Sequence, residues 1–193
     1  MAKSGSGYVG GRLLVASPAM PDPRFQRTVI YMCHHDEKGA LGLVVNRPVE
    51  DMSEADLYRK VDISPPAGSE DRSIMLGGPV ETQQGLVLHS SDYARDATLR
   101  IGEVAGLTGS LEILRDLAAS KGPARAILTL GHSGWGPGQL DGELRDNGWL
   151  VTPGDIDLAL DGDHASKWTR ALAKVGGNLA SDPGLFSSTT GRA

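Results

Sequence analysis

The placement of glycine constrains the fold of this chain more than any other feature of its sequence. The 193 residues include 26 glycines, roughly twice the share of about 7% found in globular proteins. They follow no fixed period, which excludes a collagen-like structure, and they fall between short apolar runs. Because glycine permits the backbone conformations of tight turns, the pattern predicts many short elements joined by such turns.

Short apolar segments predict a chain dominated by β-strands. Residues 28–34 are rich in β-branched and aromatic side chains, a turn signal follows at 36–39, and 41–45 are again apolar. We therefore expect a hairpin over residues 28–45 that is buried on both faces. Further strands are predicted at 13–16, 73–76, 86–89, 98–101, 124–130, 149–152 and 156–160. The glycine-rich segment 131–138 is predicted to be a loop.

Helices are fewer than strands. Helical periodicity indicates them at 53–60, 110–120, 139–146 and 165–175, with Ser53 as the expected N-cap of the first. Since strands and helices do not alternate regularly, the pattern favours an α+β fold over a doubly wound parallel sheet. No repeat or linker divides the chain, so a single domain is expected over residues 1–193, with 1–10 and 181–193 loosely ordered.

Charge, cysteine content and hydropathy narrow the class of protein. The net charge is −5 and no basic stripe is visible, so direct DNA binding is not expected. Cys33 is the single cysteine, which excludes an internal disulfide and suits a reducing compartment. No stretch approaches the roughly 18 apolar residues that a membrane span needs. We expect a cytoplasmic protein without membrane association.

Residues 131–135 come near to the nucleophile motif of serine hydrolases. Gly131, His132 and Ser133 begin as in G-x-S-x-G, between a predicted strand and a predicted helix. The motif requires glycine two residues after the serine, because the turn is crowded there, and this chain has Trp135 instead. A hydrolase that uses the 131–138 loop is kept as an alternative, but no catalytic motif is satisfied and no catalytic residue is predicted.

Two further clusters have chemical interpretations of their own. Gly77, Gly78 and Pro79 form a glycine-rich turn that could hold phosphate through backbone N–H groups, although Pro79 lacks that donor. A nucleotide- or phosphate-binding protein is thus a second alternative, and a simple β-turn is the competing interpretation. Residues 33–36 carry metal-type ligands, but neighbouring strand residues point to opposite faces. We predict neither a metal nor a cofactor.

Arginines near strand ends offer a different kind of site. Arg24, Arg27 and Arg47 lie beside prolines in segments that flank predicted strands. Guanidinium groups recognise carboxylate and phosphate, so the three could form an anion site. Hydrogen bonds from the same groups to loop carbonyls are the structural alternative.

Polar, aromatic and glycine residues at strand ends together define the predicted binding site. Gln139 and Glu143 are four residues apart and share one face of the helix predicted after Trp135. Trp135 itself is either a hydrophobic plug or an anchor for a partner. Packing of the strands is expected to bring these ends together into a site for a small anion or a partner protein. The predicted binding residues are Arg24, Arg27, Asn46, Arg47, Gly77, Gly78, Pro79, His132, Trp135 and Gln139.

Several motifs, taken in order, resemble the AlgH/YqgE family of bacterial proteins. The matching stretches are 11–18 (GRLLVASP), 20–25 (MPDPRF), 39–48 (GALGLVVNRP), 77–80 (GGPV), 87–89 (VLH), 134–140 (GWGPGQL), Asn147, Trp149 and 167–168 (KW). The resemblance implies an α+β fold in which a bent sheet forms a partial barrel with helices packed on it, in a bacterial cytoplasmic protein. At His132 and Ser133 the family often has Tyr and Ala, which weakens the hydrolase alternative.

The resemblance also bears on function. Some members of the family carry the label of transcriptional regulator, and this implies a binding or regulatory module rather than a particular enzyme. The chain shows no helix-turn-helix pattern and its charge is acidic, so the resemblance does not imply direct contact with DNA.

Overall fold

The apolar segments on either side of residues 36–39 form the hairpin that the sequence predicts. In the computed structural model, which describes residues 7–181, strands β2 (Val29–Asp36) and β3 (Gly39–Val44) pair antiparallel. The first five residues of β2 are all buried, so both faces of this strand are covered. Continuous apolarity in the sequence predicts such burial.

Strands outnumber helices in the described part of the chain. The remaining strands are β1 (Leu13–Ala16), β4 (Pro48–Ser53), β5 (Ser73–Leu76), β6 (Val80–Ser90), β7 (Thr98–Ile101), β8 (Ala105–Thr108), β9 (Ala126–Trp135) and β10 (Trp149–Thr152). The helices are α1 (Glu54–Lys60), α2 (Leu111–Ala118), α3 (Gln139–Arg145), α4 (Ile156–Leu160) and α5 (Lys167–Ser181), with a 3₁₀ turn at Ser69–Asp71. Within residues 7–181, no helix is long and apolar enough to cross a membrane.

All of these strands belong to one curled sheet, and β9 is its centre. The order is β10-β1-β2-β3-β9-β6-β8-β7, with β5 also paired to β9 and β4 paired to β5. The last three residues of β9 pair with β3, whereas residues 126–132 pair antiparallel with β6. Strand β5 runs parallel to β9 at residues 129–130. The predicted α+β class, a bent half-barrel sheet with helices packed on it, is confirmed.

The sheet buries apolar side chains on both of its faces. In β1, Leu13 and Val15 belong to a cluster shared with α4 and α5, whereas Leu14 and Ala16 belong to a separate cluster. This division follows the two-residue period of a strand, which sends neighbouring side chains to opposite faces. The second cluster also contains residues of β9, α3 and β10, namely Trp135, Leu140 and Trp149.

Two side chains at the start of α5 tie this helix to the rest of the fold. Lys167 is fully buried, and its Nζ donates hydrogen bonds to the carbonyls of Val45 at 3.0 Å and Ala159 at 2.8 Å. Burial lowers the pKa of Lys167 to about 8. The neighbouring Trp168 donates from Nε1 to the Ala16 carbonyl at 2.9 Å. These hydrogen bonds thus anchor α5 to β1, to α4 and to the residue that follows β3.

Two predicted elements differ from the structure. Residues 131–135, predicted as part of a glycine-rich loop, continue β9, because β3 supplies backbone partners for its last three residues. Residues 156–160, predicted as extended, form α4 instead. The Asp155 side chain caps this helix by accepting a hydrogen bond from the Leu158 N–H at 2.8 Å, which stabilises a first helical turn.

The N-cap predicted for α1 is confirmed. The Ser53 hydroxyl accepts from the Asp56 N–H at 3.3 Å, and the Asp56 carboxylate accepts from the Ser53 N–H at 2.9 Å. Loose order is expected at residues 1–10 and 181–193, and of these, 1–6 and 182–193 lie outside the described residues. Close to the N-terminal end of the described part, Val9 is buried and its N–H donates to His35 Nδ1 at 3.2 Å.

Candidate functional site

An aromatic-lined cavity of about 430 Å³ lies beside the apolar cluster that contains α3. Met20 and Phe25 line it from the segment that follows β1. Trp135 lines it from the end of β9 and Trp149 from the start of β10. The predicted site residues around this cavity are Arg24, Pro79, Trp135 and Gln139.

Glu143 on α3 organises the walls of the cavity. Its Oε2 accepts a hydrogen bond from the indole Nε1–H of Trp135 and another from that of Trp149, each at 2.9 Å. Its Oε1 accepts from the amide of Gln139 at 3.1 Å. The Gln139 carbonyl oxygen in turn accepts from the Gly136 N–H at 3.1 Å. One carboxylate therefore fixes two large aromatic walls and one amide, all within a single helix and its two flanking strands.

The aromatic rings of the cavity stand at steep angles to one another. Phe25 and Trp149 have centroids 5.5 Å apart and ring planes at 70°. Trp135 and Trp149 have centroids 6.4 Å apart and planes at 80°. Edge-to-face pairs of this kind are favourable because the electron-poor edge of one ring meets the face of the next. The three rings consequently enclose the cavity from different directions instead of stacking into a flat surface.

Asp22 engages the guanidinium of Arg24 at the edge of the cavity. Arg24 Nη2 lies 2.7 Å from Asp22 Oδ2, and its Nε lies 3.1 Å from Oδ1. The side-chain hydrogen bond lowers the pKa of Asp22 and raises that of Arg24. The same guanidinium lies 5.8 Å from the centroid of the Phe25 ring. The positive charge of Arg24 is thus balanced by a neighbouring carboxylate.

Asn46 and Arg47 do not line the cavity, but they form hydrogen bonds with the backbone of residues 26–29, which follow the cavity residue Phe25. Asn46 Oδ1 accepts from the Val29 N–H, and its Nδ2 donates to the Arg27 carbonyl, both at 2.9 Å. Arg47 Nη2 donates to the Gln26 carbonyl at 2.9 Å. These bonds fix the backbone directly after Phe25, so both residues support a cavity wall from a distance.

The three predicted arginines do not converge on one anion. The Arg27 guanidinium lies over the ring of Trp168, 4.8 Å from its centroid, at the start of α5. Arg24 is paired with Asp22, and Arg47 bonds to a backbone carbonyl. Each guanidinium therefore has its own partner within the chain.

Gly77 and Gly78 allow the turn between β5 and β6 to cross β9 at close range. A Cβ on Gly77 would come within 3.0 Å of the Gly131 carbonyl oxygen, and one on Gly78 within 3.0 Å of the His132 carbonyl. The Gly77 N–H donates to the Leu130 carbonyl at 2.9 Å, so it is not directed at a ligand. Backbone packing accounts for both glycines without a phosphate.

Ser133 and His132 are neighbours on β9, and their side chains therefore point to opposite sides of it. Ser133 is 1% exposed, and its Oγ donates to the Gly77 carbonyl at 3.2 Å. His132 Nδ1 lies 3.8 Å from a carboxylate oxygen of Glu81. Because the imidazole cannot reach the hydroxyl from the other side of the strand, these two residues do not form the nucleophile–base pair of a hydrolase.

The metal-type residues that begin at Cys33 are also separated by the strand. Cys33 is buried, and burial raises the pKa of its thiol above the ordinary range. His35 is buried as well, whereas His34 is exposed and lies 3.0 Å from the Asp36 carboxylate. Among residues 7–181, no group of three or more His, Cys, Asp or Glu side chains is arranged to hold a metal ion.

The predicted binding residues do not include the one that organises the cavity. The four-residue spacing from Gln139 places Glu143 on the correct face of α3, but that spacing alone names no partner for the carboxylate. A stronger signal is the pair of tryptophans, Trp135 and Trp149, on either side of one short helix that carries a glutamate. Phe25 comes from a distant part of the chain, and no local pattern links it to the other two rings.

Comparison with known proteins identifies relatives along nearly the whole chain. Residues 13–180 match the AlgH-like family, DUF179. A UPF0301 protein of Rhodospirillum rubrum is 45% identical over 187 residues, which cover 97% of this chain and 95% of that protein. A UPF0301 protein of Caulobacter vibrioides is 46% identical over 188 residues, with coverages of 96% and 94%.

Solved structures agree with this assignment. The solution structure of the AlgH protein from Pseudomonas aeruginosa superimposes with a TM-score of 0.77 at 39% identity, over 100% of both chains. A crystal structure of a protein from Corynebacterium diphtheriae gives a TM-score of 0.69 at 21% identity over 85% of each chain, which shows a likeness of fold alone. The resemblance carried by the sequence motifs is confirmed, and the chain belongs to the AlgH-like (UPF0301) family.

Proposed function

We propose that this protein acts by binding rather than by catalysis, and that the aromatic cavity is its ligand site. The observation that carries the proposal is the position of Glu143, which holds Trp135 and Trp149 through hydrogen bonds of 2.9 Å. Walls that are fixed before a ligand arrives reduce the entropy that binding must overcome. The volume of about 430 Å³ also lies in the range of about 300–1,000 Å³ that is typical of small-ligand sites.

The two enzymatic or nucleotide-based alternatives find less support. A hydrolase would need a base beside Ser133, and its hydroxyl is buried against the Gly77 carbonyl. A phosphate site at Gly77 and Gly78 would need free N–H groups, and that of Gly77 is bonded to Leu130. An anion site would need unpaired arginines, and Arg24 is already paired with Asp22.

A regulatory role is part of the proposal, with the ligand of the cavity as the signal. The net charge of −5 disfavours the phosphate contacts on which direct DNA binding depends, so we place any effect on transcription downstream of a bound molecule. We also propose a cytoplasmic location, because the single cysteine, Cys33, suits a reducing compartment.

The chain contains its own reporters for a binding test. Of its three tryptophans, Trp135 and Trp149 line the cavity, whereas Trp168 packs against the other apolar cluster and donates to the Ala16 carbonyl. We suggest following the three indole N–H signals of ¹⁵N-labelled protein during titration with choline, 3,3-dimethyl-1-butanol, ethylguanidinium, ethylurea and propionate. At least one probe is expected to shift the two cavity signals to saturation and to leave the Trp168 signal in place.

Phe25→Ala tests whether ligand binding depends on the aromatic walls of the cavity. This change removes one wall without touching the hydrogen bonds of Glu143, and it should weaken the response of both cavity signals. Leu99→Ala is the control, since it truncates an exposed apolar side chain on β7, at the far edge of the sheet. If no probe moves the cavity signals, or if all three tryptophans respond alike, the cavity is not the ligand site.

A further inference from the structure

The charges around the cavity are unbalanced. Asp22, Glu143 and Asp146 line it together with one basic residue, Arg24. Asp22 neutralises Arg24 through contacts of 2.7 and 3.1 Å, so this pair contributes no net charge. Glu143 and Asp146 remain, and the cavity consequently carries two uncompensated carboxylates.

Among the described residues, neutral groups supply every hydrogen bond that the Glu143 carboxylate accepts. The donors are the indoles of Trp135 and Trp149 and the amide of Gln139. None of the ion pairs formed among residues 7–181 includes Glu143 or Asp146. A carboxylate without a counter-charge, next to a partly enclosed, aromatic-lined cavity, attracts a positive charge more strongly than it would in open water.

The aromatic walls favour the same kind of ligand. Phe25, Trp135 and Trp149 meet at angles of 70° and 80°, so their rings surround the cavity on several sides. The face of an aromatic ring carries negative potential, and cages of such rings bind alkylammonium and guanidinium groups. Phe25 already accepts a cation in this fold, because the Arg24 guanidinium lies 5.8 Å from its centroid.

We propose that the cavity binds an organic cation, an alkylammonium or guanidinium group, with Glu143 and Asp146 as counter-charges and the three rings as walls. This inference rests on the proposed binding function and specifies the chemistry of its ligand. The net charge of −5 adds a long-range attraction of the same sign. The group can belong to a free small molecule or to a lysine or arginine side chain of a partner, and both sources present an alkylammonium or guanidinium head.

The test compares probes that share a shape but differ in charge. Choline is paired with 3,3-dimethyl-1-butanol, and ethylguanidinium with ethylurea, in the indole titration and in calorimetry at low salt. Each cation is expected to bind at least about tenfold more tightly than its neutral counterpart, which corresponds to about 1.4 kcal/mol. Propionate should have no effect. Comparison of N-acetyl-arginine amide with ethylguanidinium then distinguishes a partner side chain from a free small cation as the better ligand.

Charge-neutralising variants assign the effect to the cavity. Asp146→Asn removes one counter-charge and touches none of the hydrogen bonds that hold the indoles, and it should weaken the cations about threefold, as expected for a partly exposed charge pair. Glu103→Gln makes the same change at an exposed position between β7 and β8 and should leave affinity unaltered. Glu143→Gln should weaken cations more strongly, while the Trp168 signal reports whether the fold is retained.

The outcomes separate this inference from the proposed function. Equal affinities for charged and neutral partners, or equal effects of Asp146→Asn and Glu103→Gln, overturn the cation and leave the binding module in place. Failure of every probe to move the Trp135 and Trp149 signals overturns both. Because Asp146→Asn does not disturb the aromatic walls, it decides the matter even if Glu143→Gln fails to fold.

Discussion

Replacement of Lys167 by methionine removes its charge and its hydrogen bonds together, and the pH dependence of the resulting change in stability isolates the energy of burying the charge. The Nζ group donates to the Val45 and Ala159 carbonyls and is closed off from solvent. Burial is the main reason that its pKa lies near 8 instead of the ordinary 10.5, and the nearby carboxylate of Asp161 opposes this effect only in part. Methionine is similar in length, keeps the packing and does not titrate.

The direction of the pH effect follows from the two pKa values. Below pH 8 the lysine is charged in both states, and the folded protein bears the full energy of burying that charge. Between pH 8 and 10.5 the folded lysine is neutral while the unfolded one is still charged, so stability increases with pH. At about 1.4 kcal/mol per pKa unit, the total gain is about 3 kcal/mol, and it is complete above pH 10.5.

The assay is urea unfolding of the wild type and Lys167→Met between about pH 7 and 10.5. The free energy of unfolding of the wild type minus that of the variant should increase by about 3 kcal/mol over this range. Tyr31 and Tyr58, whose pKa values burial raises to about 12, destabilise the fold as the pH rises above 10, but both proteins contain them and the difference cancels their effect. Lys121→Met removes a charge from an exposed position and serves as the control. A difference that stays constant with pH would refute the reasoning.

Two further predictions concern β9 and its neighbours. Gly78→Ala should lower the free energy of unfolding by about 2–4 kcal/mol, because the added Cβ would collide with the His132 backbone at a φ that disfavours side chains. Thermal or urea unfolding measures this change. Gly85→Ala is the control: position 85 has open space around it, so the free energy of unfolding should change by less than about 0.5 kcal/mol. A fluorophosphonate probe should not label the wild type, and labelling that Ser133→Ala abolishes would restore the hydrolase alternative. Ser133→Ala should lower the free energy of unfolding by only about 1 kcal/mol, through loss of the hydrogen bond to the Gly77 carbonyl.

Local patterns in the sequence account for much of the fold. The hairpin of β2 and β3 is predictable because its apolar runs and its turn are adjacent in the chain. The continuation of β9 through Gly131 and Gly134 is not, because glycine signals a turn locally while β3, distant in sequence, supplies the partners that keep the strand extended. The apolar run at 156–160 is compatible with a strand or a helix, and the hydrogen bond from the Leu158 N–H to the Asp155 side chain favours the helix α4.

The residues of the candidate site are likewise predictable from the sequence only in part. Trp135 and Gln139 are close in sequence, so their neighbourhood is predictable, and the helical spacing includes Glu143. Arg27 and Arg47 have partners that tertiary structure alone determines, the ring of Trp168 and the Gln26 carbonyl. Arg24 pairs locally with Asp22, but a long guanidinium side chain can also reach a ring or a carbonyl from the same backbone position, so the sequence alone does not select this partner.

The central place of β9 has a consequence for how the chain reaches its native state during synthesis. Strands β3, β5 and β6 all use β9 as a neighbour, yet β9 is made after every one of them. A nascent chain that ends before residue 126 therefore exposes several unpaired strand edges, which are the features most prone to wrong pairing between molecules. Emergence of a single ten-residue strand from the ribosome closes these edges together.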